Sequence, residues 1–478
     1  MDVILLSFPL MLIACSKVYL IFSEDFIFPF LYTMWVAYSV LPLIISWVKY
    51  SEEFSLSEYP ASSYAATASG VVARPPLAGA IDADVCVVGG GYTGLAAALH
   101  LAQRGYDVAV LEAHRAGWGA SGRNGGQVGV GQRRGATELV EMFGLARARE
   151  LWELGRAATE LVKNLVREHA IDCNLSPRQM VAAAKPSHME EMAAEIELLN
   201  GQFGYADIGM LSRTELEEQL ASPVFHGGCL DTGASHLHPL NYCLGLAAAA
   251  EKAGAKIFEQ SEVVAMDGAD PATLSTKNGT VTARFVVLGC NGYLGALEPR
   301  LAGRIMPINN FVVATEPLGD LAAGLIRNGA CVHDTRFVVN YFRLSADNRL
   351  IFGGGENYSR RFPSDIAAFV RPYLLRIFPQ LEPAAIEYAW GGTLAITLNR
   401  LPCIGRLPPN VFYAQGYSGH GVPMATLAGQ LIAEALAGSA ERFDLMAGIP
   451  QPKFPGGTLL RYPGLVLGML YYALRDRF

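Results

Sequence analysis

Charge is scarce in this 478-residue chain: Asp, Glu, Lys and Arg together make up 17% of it. There is no Lys/Arg cluster, and a net charge of −7 argues against a nucleic-acid partner. Cysteine is sparse as well. The eight thiols (Cys15, Cys86, Cys173, Cys229, Cys243, Cys290, Cys331 and Cys403) form no C-x-x-C pair and show no metal-ligand spacing. That excludes a disulfide frame, gives no reason to expect a metal, and fits reduced thiols in a cytoplasmic domain. Internal repeats and low-complexity tracts are also missing. Glycine, by contrast, is abundant: 50 residues in a 51% hydrophobic chain, which is long enough for two interleaved domains with cores of their own.

The glycines are not spread evenly. Val85 to Val88 reads as a buried strand, Leu95 to Arg104 has helical spacing, and Tyr106 to Leu111 returns as a second strand. Between the first strand and the helix, Gly89, Gly91 and Gly94 fill the three positions of G-x-G-x-x-G, with Tyr92 and Thr93 among them. The first glycine makes the tight turn, the second admits a pyrophosphate, and the third lets helix pack on strand. The helix N-terminus then offers free N–H groups and a positive dipole end to phosphates. Glu112, 18 residues beyond Gly94, stands where a carboxylate accepts hydrogen bonds from a ribose. Strand, glycines, helix, strand and acid in register predict a dinucleotide site.

A second glycine-rich run follows at once. Ala120, Ser121, Arg123, Asn124, Gly125, Gly126 and Gln127 offer backbone amides and close approach to a flat ring such as a flavin. Far downstream, Val411 to Ala414 reads as a strand and Gly416 to Gly421, with Gly419 inside it, as a turn. Val422 to Leu436 follows as a helix closed by Gly438. This second helix N-terminus is expected to face the same cofactor, where it would stabilise the negative charge of a reduced flavin. Gly289-Cys290-Asn291-Gly292, at the end of another expected strand, is a further turn suited to phosphate or ribose.

With Ser63-Tyr64-Ala65-Ala66-Thr67-Ala68, His236-Leu237-His238-Pro239-Leu240, Asn340–Gly355 and Leu398–Arg406, these motifs resemble the FAD-dependent amine and amino-acid oxidase superfamily. Within it the chain is most similar to the gamma-glutamylputrescine oxidase group, over about residues 55–478. The resemblance implies FAD as cofactor, with Val263 beside its adenine. It also implies oxidation of the C–N bond of a small-molecule amine, best matched by gamma-glutamylputrescine, to aldehyde, ammonia and hydrogen peroxide. Two other readings stay open: an amine or D-amino-acid dehydrogenase at the membrane that passes electrons to quinone, and a flavin-binding subunit without turnover. Some relatives bond flavin to a cysteine, but alignment puts that position nearer Gly392 than Cys403, so a non-covalent FAD is expected. Sarcosine oxidases activate dioxygen with a lysine where this chain has Ile351, which leaves dioxygen and quinone both open as acceptors.

The expected fold is α/β. A discontinuous Rossmann-like FAD-binding domain (82–177, 225–304 and 395–440) carries an inserted α+β substrate domain of antiparallel sheet plus helices (178–224 and 305–394). Residues 51–81 form an entry segment laid over the enzyme, and 441–478 a tail with a docked helix at 465–472. The first fifty residues differ from the rest: 26–48 carry no charge and are long enough to span a bilayer. One reading is a membrane anchor or two-helix hairpin. Glu24 and Asp25 before the span and Lys49 after it would then hold a cytoplasmic catalytic domain at the inner membrane. The other reading is upstream sequence joined through a wrongly assigned start codon.

Candidates for the chemistry are few, because amine oxidation by flavin needs orientation and desolvation more than acid–base groups. Tyr341 and Arg343 alternate on an expected strand, so both can face the flavin. Arg343 is expected either to pair a substrate carboxylate or to form a structural ion pair. His420 is expected to touch the flavin edge, to bond in a second layer or simply to shape its turn. Trp390 is expected to stack over the ring or substrate, or to fill a core. His238, before Pro239, reads as structural.

Overall fold

A computed structural model describes residues 58–357, 361–458 and 461. The chain divides into Met1–Leu56 and Ser57–Phe478, and the description below concerns the second unit. The apolar segment 1–50 and the helix expected at 465–472 lie outside the described residues. Among those described, no helix is long and apolar enough to cross a membrane.

Gly79–Val88 is the central strand of the first sheet, and its last four residues are buried. It pairs in parallel with Gly279–Leu288 on one side and Val108–Leu111 on the other. Val411–Gln415 and Lys256–Phe258 extend the sheet in parallel, and Cys403–Leu407 closes one edge antiparallel. A parallel strand covered on both faces needs apolar residues at every position, not alternation. Accordingly, Val85 and Val87 join one core and Cys86 and Val88 another.

The helix Tyr92–Ala102 follows the first strand and Gly421–Leu436 follows Val411–Gln415. They meet backbone to backbone. A Cβ on Gly429 would lie 2.5 Å from the Thr93 carbonyl oxygen and 2.6 Å from the Ala97 nitrogen. Gly94 serves the same purpose between helix and turn, since a Cβ there would fall 1.9 Å from the Gly89 carbonyl oxygen. The Thr93 and Tyr417 hydroxyls, 2.6 Å apart, fasten the two helix starts together.

The second sheet runs Ile386–Ile396, Met306–Thr315, Leu350–Asn357, Tyr341–Leu344, Cys331–Asp334, Ser176–Ala182, Gly228–His236, Gln127–Val128. It is antiparallel except where Cys331–Asp334 meets Ser176–Ala182. Phe311, Phe342, Phe352 and Phe378 fill its core beneath the helix Ile366–Ile377. Gln127–Val128 and Gly228–His236, which fall in stretches allotted to the cofactor domain by motif, pair in this sheet instead. Motifs mark the turns that meet a ligand; they carry no information about which edge a neighbouring strand joins.

Gly429→Ala is expected to push the two helices apart and to cost roughly 1–3 kcal/mol, the usual price of overpacking. Thermal melting of the holoprotein checks this, and an unchanged Tm would refute the close approach.

Candidate functional site

Both helix N-termini open on one cavity of about 1260 Å³, which reaches from the glycine turn to the second sheet. The expected cofactor residues line it except Gly94, Gly126, Gly292 and Gly416. Those four hold packing and turn positions. Gly94 seats the helix. Gly126 and Gly416 have φ of +75° against the Leu237 carbonyl and Thr397, and Gly292 lies on the Thr393 carbonyl.

At the glycine turn, half-buried Glu112 accepts hydrogen bonds from the Gly90 N–H at 2.7 Å and the His114 N–H at 2.9 Å. Burial pushes its carboxyl up, and these two bonds pull against that shift. Each oxygen keeps a further lone pair for a ribose hydroxyl. Ser121 Oγ accepts from Tyr92 N–H at 3.1 Å, which joins the flavin loop to the helix start. Asn124 shapes that loop: its Nδ2 donates to the Ala120 and Ser121 carbonyls, both at 3.0 Å, and its Oδ1 accepts from Gly126 N–H at 2.8 Å. Asn291 Oδ1 accepts from Gly416 N–H at 2.9 Å, tying two of the expected turns together.

The cavity fits a flavin dinucleotide on observations independent of motif. No side chain caps the start of Gly421–Leu436, so its N–H groups remain available to an anion. Arg123, stacked 4.0 Å above the Trp118 ring, is buried with Nη2 unpartnered, and burial holds its guanidinium below the usual range. An unneutralised cation beside a cavity suits a ligand that brings negative charge.

The four catalytic candidates separate. Tyr341 lines the cavity; a Cβ on Gly353 or on Gly125 would meet its ring, and its hydroxyl donates to Asn310 Oδ1. His420 also lines it, and its Nε2 lies 3.0 Å from the Gly131 carbonyl. Arg343 does not reach the cavity. Its Nε donates to the Gly125 carbonyl at 2.8 Å and its Nη2 to the Tyr64 hydroxyl at 3.2 Å. The flavin loop lies over that part of the strand, so a side chain on the same face as Tyr341 is roofed by backbone. Trp390 is likewise a brace, with its indole N–H donating to the Arg123 carbonyl at 3.0 Å. His238 caps the helix Pro239–Lys252 by accepting from Asn241 N–H at 3.1 Å.

The cavity also draws on residues that no motif flagged, Gln179, His333, Phe337, Arg133 and Arg134, and on Arg400 of the Leu398–Arg406 motif. His333 stands directly opposite Tyr341 in the sheet, and both line the space. Burial, reinforced by Arg133, lowers both His333 and His420 to about 4, so both are neutral at pH 7. Arg400 sits 5.7 Å from the Phe337 ring centroid.

Residues 84–435 match the model of the DAO family, described as FAD dependent oxidoreductase. Gamma-glutamylputrescine oxidoreductase of Escherichia coli is 42% identical over 424 residues, which cover 88% of this chain and 99% of that protein. A probable oxidoreductase, OrdL, of Rhizobium meliloti is 41% identical over 87% of this chain and 97% of its own length. Among solved structures, glycine oxidase from Geobacillus kaustophilus aligns with a TM-score of 0.66 at 23% identity, covering 78% of this chain and 100% of that one. L-proline dehydrogenase from P. horikoshii gives 0.64 at 22%, covering 78% and 96%. Both share the fold.

Arg343→Met should lower stability by roughly 2–4 kcal/mol, since a buried charged donor to the Gly125 and Leu344 carbonyls and the Tyr64 hydroxyl is lost. Flavin occupancy should fall with it, while the KM ratio between a glutamylated amine and plain putrescine should hold. A KM rise confined to the glutamylated amine would instead put a carboxylate on Arg343. Five histidines make a second prediction. His100, His236, His238, His333 and His420 are all lowered to about 4, mainly by burial. Between roughly pH 6.5 and 4 the unfolded chain therefore binds more protons than the folded one, and stability falls as pH falls through that window. A Tm that stays level from pH 7 to pH 4.5 would contradict this.

Proposed function

The chain belongs to the FAD-dependent oxidoreductase family, and from that premise we propose that it oxidises the C–N bond of an amine. The amine is best matched by gamma-glutamylputrescine, and the products are an aldehyde and ammonia. The observation that carries this reading is the similarity to the E. coli enzyme along nearly the whole length of both chains.

When bound, FAD supplies the two-electron acceptor. The glycine turn, Glu112 and Ser121 would hold its nucleotide half, and the flavin loop with the start of Gly421–Leu436 its ring. A helix N-terminus at the ring favours negative charge there, which is what reduction creates. Tyr341, His333 and His420 would surround the amine with neutral polar groups and leave its lone pair free. With Arg343 roofed over, Arg133 and Arg400, two of the four arginines that line the cavity, would meet the glutamyl carboxylate.

FAD is proposed to be non-covalent. Cys403 is fully buried and does not line the cavity. Cys290 does, but burial pushes its thiol up to about 12, far from the reactive thiolate.

Anaerobic addition of gamma-glutamylputrescine to the yellow protein should bleach the flavin. Colour that returns in air with peroxide identifies an oxidase; colour that returns only with a quinone identifies a dehydrogenase. A flavin that no amine bleaches would refute the proposal in favour of a subunit without turnover. Acid precipitation should leave FAD in the supernatant, and flavin retained in the pellet would disprove non-covalent binding.

A further inference from the structure

Two hydrogen-bond acceptors flank Gly129 in the cavity, and neither takes a hydrogen bond from a protein donor among the described residues. Gln127 Nε2 donates to the Val332 carbonyl at 2.8 Å, which fixes the orientation of that amide. Its Oε1 therefore faces outward and accepts from Gln179 Nε2 at 3.1 Å. This leaves Gln179 Oε1 as the free end of the chain, on a side chain that is 7% exposed and lines the cavity. On the opposite side, the Gly131 carbonyl 3.0 Å from His420 Nε2 requires the proton on that nitrogen, and His420 Nδ1 keeps its lone pair. Gly129 lies between them. A Cβ built there would sit 3.1 Å from Gln179 Oε1, 3.2 Å from His420 Cε1 and 3.7 Å from His420 Nδ1.

We propose that the niche over Gly129, between Gln179 Oε1 and His420 Nδ1, receives the N–H groups of the substrate's reacting primary amine. The inference rests on the amine-oxidising reading and deepens it by naming the groups that select the nitrogen. Two neutral acceptors match the two N–H bonds of a neutral primary amine and leave its lone pair unengaged. Gln179 is oriented by Gln127, itself anchored on the Val332 carbonyl, and His420 by the Gly131 carbonyl, so both acceptors are set before any ligand arrives. His420 directly precedes the uncapped helix Gly421–Leu436, so the niche adjoins the N-terminus assigned above to the flavin ring. The absent Cβ at Gly129 provides room for the nitrogen, and Gly129 has no positive φ to explain its being glycine.

The test compares the primary amine with its N,N-dimethyl analogue, which offers at most one N–H, by anaerobic flavin bleaching in holoprotein. Gln179→Leu should shrink the preference for the primary amine by about tenfold, the loss expected for one hydrogen bond in a dry site. Gln179→Leu also strands Gln127 Oε1, so Gly129→Ala serves as the variant that removes no polar group. It should lower kcat/KM for both amines at least about tenfold by filling the niche, with flavin occupancy and spectrum unchanged. Wild-type constants in Gly129→Ala would overturn the inference, as would equal losses on both amines in Gln179→Leu. So would a shifted flavin N3 ionisation with amine constants intact, because the acceptors would then serve the cofactor. A wild-type flavin that no amine bleaches removes the amine reading itself; bleaching that is normal in all three proteins removes only the niche.

Discussion

The site depends on a contact made without side chains, the crossing of Tyr92–Ala102 and Gly421–Leu436 at Gly429 and Thr93. With any larger residue at the crossing, the two helix axes would have to separate. Because they touch, both N-termini reach the same cavity, and two positive dipole ends converge there from segments more than 300 residues apart in sequence. Everything the cavity is suited to hold follows from that convergence. The parallel strands before each helix, Gly79–Val88 and Val411–Gln415, both flank Gly279–Leu288, so the sheet fixes the relation of the two starts before any ligand is present.

The loop carrying Arg123 to Gln127 is held from several sides at once. Arg343 grips the Gly125 carbonyl from below, Trp390 grips the Arg123 carbonyl from the side, and Asn124 bonds the loop to itself. Arg343 in turn reaches Tyr64, the centre of the Ser63–Ala66 helical turn, and His238 lies 3.1 Å from the Thr67 hydroxyl. Another residue of the entry segment, Arg74, pairs with Glu251 at 2.7 Å and Glu259 at 3.2 Å, and Glu259 also accepts from the Ala116 N–H. The entry segment thus acts as a clasp on the flavin loop. Buried polar groups that are fully paired in this way rigidify a loop that has many glycines and little intrinsic order.

The cofactor half of the structure was legible because its chemistry requires particular residues at particular spacings. Three glycines, an acid and a helix start cannot be rearranged without losing the turn, and they stand where the spacing puts them. Alternation along Tyr341–Leu344 was a weaker guide. It identifies which residues share a face, but not that a loop from residue 125 will cover half of that face. Gln179 and His333 could not be found in the same way, for neither belongs to a recurring spacing. Their place is set by the parallel pairing of Cys331–Asp334 with Ser176–Ala182, a long-range register that leaves no local trace in the sequence. By contrast, Ser212-Arg213-Thr214-Glu215 spells a capping box within four residues, and both bonds form: Ser212 Oγ accepts from the Glu215 N–H and Glu215 from the Ser212 N–H.

One electrostatic arrangement accounts for two properties of the cavity. Burial and Arg133 keep His333 and His420 from taking up protons, while the same cation and the uncapped helix favour negative charge on whatever binds beside them. A site arranged this way disfavours a protonated amine and favours a neutral one, which is the only form with a lone pair to push. It equally favours an electron-rich ring over a neutral one. In the proposed reading, readiness to receive charge on the cofactor and selection of the reactive protonation state of the substrate are therefore one field acting on two partners. The neutrality of both histidines follows from the same burial beside Arg133.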